Sequence, residues 1–316
     1  MDVSRECTGD LVEALNTRIH GNGTQTLVLS HGFGADQSVW HYLIPYLACY
    51  FKIVVFDLVF SPNVSPKLYI LRGTHVLAPM QRTWFAFLIS SISTSVSTLV
   101  IPPYFLFLRE RVESYGRNRN PFNCGSIFIP FSSSILVEIF HAALRFYYQR
   151  KRDSCIPTVA SNTETQCKNY SHLNVEGGKY YGGFERSYLD MVFNNIAHNF
   201  SGWVRDFAPK AIGGNDTTAI HEFERSLGRM KPDIALSAAR TVFLSDNRAI
   251  LSRVRVPSAI QSQKDFIVPL SVAFYMKKKL HGHVRVRILK TEGHFPELTA
   301  YPLLINVLKK VLHLTT

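Results

Sequence analysis

Two strand–helix–strand patterns, one near each end of the chain, constrain the fold more than any other feature of the sequence. Near the start, an apolar run over 26–30 is followed by helically spaced apolar residues over 38–49 and by a β-branched run over 52–57. The same order recurs between 257 and 289, and a helix over 302–312 closes the chain. Short buried strands joined by helices are typical of a parallel α/β sheet.

Between these two patterns, the stretch from 183 to 249 has the apolar spacing of helices. A block of short helices inserted between strands is typical of a lid over a sheet. Its aromatic residues would equally form the core of a plain helical subdomain, and spacing alone does not separate the two. A length of 316 residues accommodates either arrangement.

Composition and the first residues argue against several classes of protein. The net charge is +12, but only Arg150–Arg152 and Lys277–Lys279 form basic triplets, and neither lies in a nucleic-acid-binding motif, so we expect no nucleic-acid partner. Five cysteines without a Cys-x-x-Cys pair argue against a disulfide framework or a zinc site and favour a reducing compartment. Residues 1–6 do not resemble a secretory signal, so we expect a cytoplasmic and/or nuclear location.

Asp265 and His294 form the strongest chemical pattern. Each follows a predicted parallel strand, and the carboxyl ends of such strands meet at one edge of a sheet, where α/β folds keep their sites. An acid after one strand and a histidine after the next match the end of a Ser–Asp–His order. The acid would orient an imidazole that acts as a general base. Singly, each residue would be interpreted as part of a turn or surface loop.

A weaker signal follows the first strand, where the chain reads His31-Gly32-Phe33-Gly34. Glycines there allow a sharp turn that offers backbone N–H groups to an oxyanion. Many strand-to-helix turns carry glycine, so this motif alone is not specific.

Several further stretches, in a fixed order, carry a family resemblance over roughly 200 residues. They are His31–Trp40, Gly182–Glu185, Phe207–Pro209, Arg229–Ser237, Gln263–Asp265 and Glu292–His294. On these residues the chain resembles the plant strigolactone and karrikin receptors, which are receptor-like α/β-hydrolases. The stretch Phe56–Val64 is most similar to the DWARF-like side branch of that family.

The resemblance implies an α/β-hydrolase fold under a four-helix lid, with slow ester or lactone hydrolysis of a butenolide by a Ser–His–Asp triad. It makes His294 the base, Asp265 the orienting acid and Phe33 a donor to the oxyanion. The implied ligand-binding residues are Phe33, Phe184, Val192, Trp203, Phe207, Phe243 and Phe266. It implies a small apolar butenolide-type ligand and signalling proteins that bind the lid, with no cofactor and no metal ion.

Residues 70–171 depart from that family. No Gly-x-Ser elbow precedes the predicted lid, and Gly125-Ser126 does not follow a clear buried strand, so no serine is assigned as the nucleophile. We therefore divide the chain into parts of the hydrolase core at 1–69 and 250–316, a non-family segment at 70–171 and a lid at 172–249.

A chain without the nucleophile would keep only residual catalysis, so we predict a catalytically impaired protein. We also expect residues 70–171 to be irregularly packed. One alternative is a non-catalytic ligand-binding or interaction module. Another is a membrane-tethered variant, because residues 83–108 carry no charge over 26 positions.

Overall fold

The computed structural model describes residues 13–69, 99–101, 180–244, 248, 259–279, 286–312 and 314. Six strands lie within these ranges. They are β1 (Arg18–His20), β2 (Gln25–Ser30), β3 (Phe51–Phe56), β4 (Leu99–Ile101), β5 (Ala259–Lys264) and β6 (Val286–Glu292). They form a four-stranded sheet in the order β1-β3-β2-β4 and a two-stranded sheet of β5 and β6.

Strands β2 and β3 lie at the centre of the larger sheet, as their apolar runs predict. They pair in parallel with Leu27 opposite Ile53, and both side chains are fully buried. β1 pairs antiparallel with β3, whereas β4 pairs in parallel with β2 through Leu27 and Leu99. The smaller sheet is also parallel, with Ile260 opposite Arg287.

The predicted helix over 38–49 is wrong as a single element. The structure has a 3-10 helix over Gln37–Trp40 and then a short helix, α1 (Ile44–Leu47). Pro45 lacks the backbone N–H that a continuous helix would use, and the Leu43 N–H instead donates to the Trp40 carbonyl at 2.9 Å.

Four helices follow in the middle of the described chain, and we call them the four-helix layer. They are α2 (Arg186–His198), α3 (Phe200–Ile212), α4 (Thr217–Gly228) and α5 (Pro232–Leu244). Polar side chains cap two of their amino ends: Asn199 accepts a hydrogen bond from the Gly202 N–H at 3.1 Å, and Asp216 accepts one from Ala219 at 3.0 Å. The buried faces of all four helices belong to one hydrophobic core shared with β2 and β3.

The C-terminal elements match their sequence predictions to within a few residues. After β5, helix α6 (Leu270–Lys279) leads to β6, and helices α7 (Pro296–Thr299) and α8 (Tyr301–Val311) end the chain. The N–H of Gly293, directly after β6, donates to the carbonyl of Lys264 at the end of β5, at 2.7 Å. This bond holds the ends of the two strands side by side.

Most of the predictions for residues 70–171 lie outside the described residues. They include the irregular packing, the segment 83–108 apart from β4, and the assignment that was withheld from Ser126. Strand β4 is the exception, and it confirms that the apolar run around Leu99 can add a strand beside β2. Among the described helices, none combines the length and the apolar character needed to cross a membrane.

Candidate active site

Asp265 and His294 lie within hydrogen-bond distance, as their positions after β5 and β6 predict. The His294 Nδ1 and Asp265 Oδ2 atoms are 2.7 Å apart, and the side chains are only 1% and 5% exposed. Water therefore competes little for this hydrogen bond. The hydrogen bond to Asp265 fixes the orientation of the imidazole through Nδ1, and Nε2 is the nitrogen suited to proton transfer.

The carboxylate of Asp265 is also held by the backbone that follows it. Its Oδ1 accepts hydrogen bonds from the N–H groups of Ile267 and Val268, at 2.8 and 3.0 Å. Burial alone would raise the pKa of Asp265, but the charge and hydrogen bond of His294, together with these two N–H groups, lower that pKa below its ordinary value. Asp265 is thus an ionised acid suited to orient a histidine.

His31 lies fully buried at the end of β2 and is not available as a second base. Its Nε2 accepts a hydrogen bond from the Leu58 N–H at 2.8 Å, which places the proton on Nδ1, and Nδ1 donates to the Gly32 carbonyl at 2.9 Å. Burial lowers the pKa of the imidazole, so the ring stays neutral. Nδ1 thus holds the turn that carries Phe33, and Nε2 ties that turn to the turn after β3.

Asp57, directly after β3, is a buried acid to which sequence reasoning gave no role. Its Oδ1 accepts from the Gln37 N–H at 2.9 Å. Its Oδ2 accepts from the side-chain amides of Gln37, Asn16 and Asn63 at 3.1, 3.1 and 3.3 Å. These donors come from three separate loops, and the acid therefore ties the turns after β2 and β3 together at the carboxyl edge of the sheet.

The predicted ligand-binding rings form one connected set of contacts. Phe33 contacts Trp203 and Phe243, with ring centroids 6.4 and 6.3 Å apart. Trp203 stacks on Phe207 at 4.9 Å, and Phe184 meets Phe243 at 5.7 Å. The predicted oxyanion donor, Phe33, is therefore connected through ring contacts to α3, to α5 and to the residue Phe184 just before α2.

Two of the predicted ligand-binding residues differ from this pattern. Val192 is buried in the same core, without a ring to stack. Phe266 contacts Phe184 with centroids 5.5 Å apart but is 41% exposed, so it lies at the solvent edge of the set. In the turn after Asp265, the next two residues, Ile267 and Val268, are buried, and Phe266 is left at the surface.

Sequence reasoning missed three aromatic members of the cluster. Phe60 contacts Phe33, Tyr188 stacks on Phe184, and Phe200 stacks on Trp203, with centroids 6.5, 5.2 and 5.9 Å apart. Phe200 had a usable signal, since it lies three residues before Trp203 on α3, and Tyr188 lies four residues after Phe184.

Glu297 is a further buried acid that the sequence did not single out. It lies in α7, three residues after His294, and is 3% exposed. Burial, with a further contribution from the charge of Asp265, raises the pKa of its carboxyl to about 8, although its own backbone N–H acts in the opposite direction. The carboxyl is therefore protonated at neutral pH, and its Oε1 has no hydrogen-bond partner among the described residues.

Strand β4 occupies the sheet position next to β2, where a nucleophile-bearing strand would belong in the predicted fold. In sequence, Ile101 at its end is followed by Pro102-Pro103-Tyr104 rather than by Gly-x-Ser. Proline at these positions has no N–H to offer to a tight strand-to-helix elbow. The described residues therefore bring together an acid and a base, and no Gly-x-Ser elbow follows β4 in the sequence.

Curated relatives match nearly the whole chain. Strigolactone esterase D14 of Arabidopsis thaliana is 36% identical over 304 residues, which cover 96% of this chain and 98% of that protein. Karrikin insensitive 2 receptor CA of Petunia hybrida is 34% identical over 308 residues, with 96% and 98% covered. The chain belongs to the strigolactone and karrikin receptor family. These matches extend through residues 70–171, beyond the roughly 200 residues of the recognised motifs.

Solved structures support the α/β-hydrolase fold. A hydrolase from Oleispira antarctica superposes with a TM-score of 0.69 at 23% identity, covering 98% of both chains. An enol-lactonase from Burkholderia xenovorans LB400 gives 0.56 at 12% identity, covering 95% of this chain and 98% of that one. At such identities the likeness concerns the fold alone. No protein-family model matches the chain.

Proposed function

We propose that this chain is a receptor of the strigolactone and karrikin type that binds a small apolar butenolide beneath the four-helix layer and hydrolyses it weakly or not at all. The four-helix layer would then act as a lid. The observation that carries the proposal is the contact of Phe33, at the end of β2, with Trp203 and Phe243 of that layer. Aromatic walls with few polar groups suit a small apolar ligand.

The polar groups beside these rings suit a lactone or ester carbonyl. His294, oriented by Asp265, can hydrogen-bond an oxygen of the ligand through Nε2. The turn held by His31 would direct the Phe33 N–H toward the same carbonyl oxygen. Without a serine in the elbow position, these groups orient the ligand but form no covalent intermediate with it.

Binding is tested by calorimetric titration of the purified chain with a synthetic butenolide. We expect Phe243→Ala to weaken binding at least about tenfold, because the ring is part of the proposed wall. Phe193→Ala is the matched control, since Phe193 is equally buried in the same layer but contacts Arg240 rather than the cluster. Equal effects of both variants, or no binding by the unmodified chain, would contradict the proposal.

A serine-reactive phosphonate separates a hydrolysing receptor from one that only binds. We expect the chain to remain unlabelled while it binds the butenolide. Labelling of any serine would show that a nucleophile exists, and the protein would then be a hydrolase of the ordinary family type.

Protein partners and location are proposed on family membership alone. We propose that signalling proteins bind the four-helix layer when ligand is present, and that the protein acts in the cytoplasm and/or the nucleus. Ligand-dependent cross-linking from single cysteines placed in α3 and α4, and imaging of a fluorescent fusion, test these two statements.

A further inference from the structure

The loop that carries His294 is bonded to the four-helix layer through its backbone. The His294 N–H donates to the carbonyl of Ala211 in the last turn of α3, at 2.7 Å. Its neighbour Gly293 donates to Lys264, so the loop is held on one side by β5 and on the other by α3. Ala211 is fully buried, and water does not compete for this bond.

Two glycines make the close approach of these backbones possible. A Cβ atom on Gly293 would lie 1.6 Å from the Ile212 carbonyl oxygen, and a Cβ on Gly213 would lie 2.7 Å from the Gly293 nitrogen. Both glycines have positive φ values, 85° and 67°. Side chains at either position would force α3 and the His294 loop apart, because the atoms they meet are backbone atoms that cannot rotate away.

The same helix carries the proposed ligand wall. Trp203, Phe207 and Ala211 are spaced four residues apart and lie on one face of α3. The rings at the beginning of this face contact each other and Phe33, whereas the residue at its end holds the base. Helix α3 is therefore a rigid connection between the ligand wall and the backbone of His294.

From this geometry we infer that Gly213 is a positioning residue for His294. It touches neither ligand nor imidazole and acts through Gly293, by allowing the end of α3 to lie against the His294 loop. The alignment of the imidazole with Asp265 then depends on α3 being docked. The inference rests on the proposed function only in taking His294 as the base.

The test compares Gly213→Ala with Gly214→Ala in the full chain. Gly214 also has a positive φ, 63°, but a Cβ there meets no atom within 4 Å. Both variants place alanine at a positive φ that L side chains rarely adopt, and only Gly213→Ala also pushes against Gly293. The readout is the proton resonance of the His294 Nδ1–H that is bonded to Asp265, assigned with Asp265→Asn.

We expect Gly214→Ala to keep this resonance at its position and Gly213→Ala to shift it upfield or abolish it. Unchanged spectra for both variants, or equal changes in both, would overturn the inference. The resonance is recorded without ligand, so a chain that fails to bind a butenolide still decides the question. Failure of the proposed function is thereby separated from failure of the inference.

Hydrogen exchange in the unmodified chain gives a second test that does not depend on a variant that folds. The Gly213 N–H donates to the Pro209 carbonyl within α3, and the His294 N–H donates to Ala211. If α3 holds the base, both amides should exchange with the same opening free energy and the same denaturant dependence. A His294 amide that stays protected while the Gly213 amide exchanges would overturn the inference.

Discussion

Arg229, at the carboxyl end of α4, reaches across to Asp36 in the turn after β2, with Nη2 and Oδ2 2.7 Å apart. Asp36 is only 4% exposed and also accepts from the Ser38 N–H at 2.9 Å, where it caps the 3-10 helix. The guanidinium is half-exposed. One ion pair therefore joins the four-helix layer to the turn that carries Phe33.

Replacing Arg229 should destabilise the chain more than replacing an arginine in an ordinary surface pair. Arg229→Met leaves the buried carboxylate of Asp36 without its cation, and we expect a loss of about 1–2 kcal/mol in the free energy of unfolding. Arg186→Met is the control, because Arg186 is similarly exposed but pairs with an exposed Asp190 in its own helix. That change should cost roughly 0.5 kcal/mol or less. Urea unfolding of the two variants measures the difference, and equal losses would contradict it.

Glu297 should make the protein less stable as the pH rises through neutrality. Folded, the Glu297 carboxyl has a pKa of about 8 and keeps its proton through neutral pH, whereas an unfolded glutamate releases its proton near its ordinary pKa of 4.5. Between these values the folded state binds more protons, so the free energy of unfolding falls with rising pH, by at most about 1.4 kcal/mol per pH unit.

The variant Glu297→Gln keeps a neutral side chain of the same shape and removes this dependence. We expect its stability to fall less than that of the unmodified chain between about pH 5 and about pH 8, measured by urea unfolding. Asp206→Asn, at an exposed position of α3, should leave the dependence unchanged. If Glu297→Gln leaves the pH dependence of the free energy of unfolding unchanged, a group other than Glu297 carries the proton.

Asp57 should be sensitive even to a conservative substitution. An amide in place of its carboxylate presents two N–H groups toward donors that already point at it from Gln37, Asn16 and Asn63. Buried donors that lose their acceptor cost about 1–3 kcal/mol, so Asp57→Asn should lower the free energy of unfolding by at least that amount. Asp206→Asn again serves as the exposed control. A loss below about 0.5 kcal/mol would mean that the loops close without this acid.

How far the sequence predicts this structure depends on how local each cause is. The buried strands around Leu27 and Ile53 follow from β-branched apolar runs, and the pairing of Asp265 with His294 follows from parallel strands that end at one edge. The helix over 38–49 was wrong because periodicity outweighed Pro45. The hydrogen bonds of Asp57 reach residues up to 41 positions away, and no local sequence pattern predicts them.

The candidate site divides in the same way. Phe33, Trp203 and Phe243 were predicted from a family pattern, and the contact of Phe33 with the other two rings is a tertiary fact that spacing did not supply. Glu297 carries no motif, because its raised pKa arises from burial after folding. The close approach of Gly213 and Gly293 likewise cannot be predicted from the sequence, in which each is one of 18 glycines.

Hydrolysis by the purified chain should be negligible. The strand beside β2 ends at Ile101, and the next residues are Pro102-Pro103 rather than a serine elbow. Removing the nucleophile from a triad leaves only the small rate enhancement of binding and oxyanion donors, roughly 10³–10⁴-fold over water. This residual rate of hydrolysis does not depend on the proton transfer between serine and histidine.

The measurement is the turnover of p-nitrophenyl acetate by the unmodified chain and by His294→Ala, with strigolactone esterase D14 as a positive control. We expect the two rates to agree within about twofold, because the sequence offers no Gly-x-Ser elbow to present a serine to His294. Turnover that disappears with His294→Ala would require a nucleophile or an activated water at the imidazole. Mass spectrometry of the chain during turnover then distinguishes these, since only a nucleophile leaves an acetyl group on the protein.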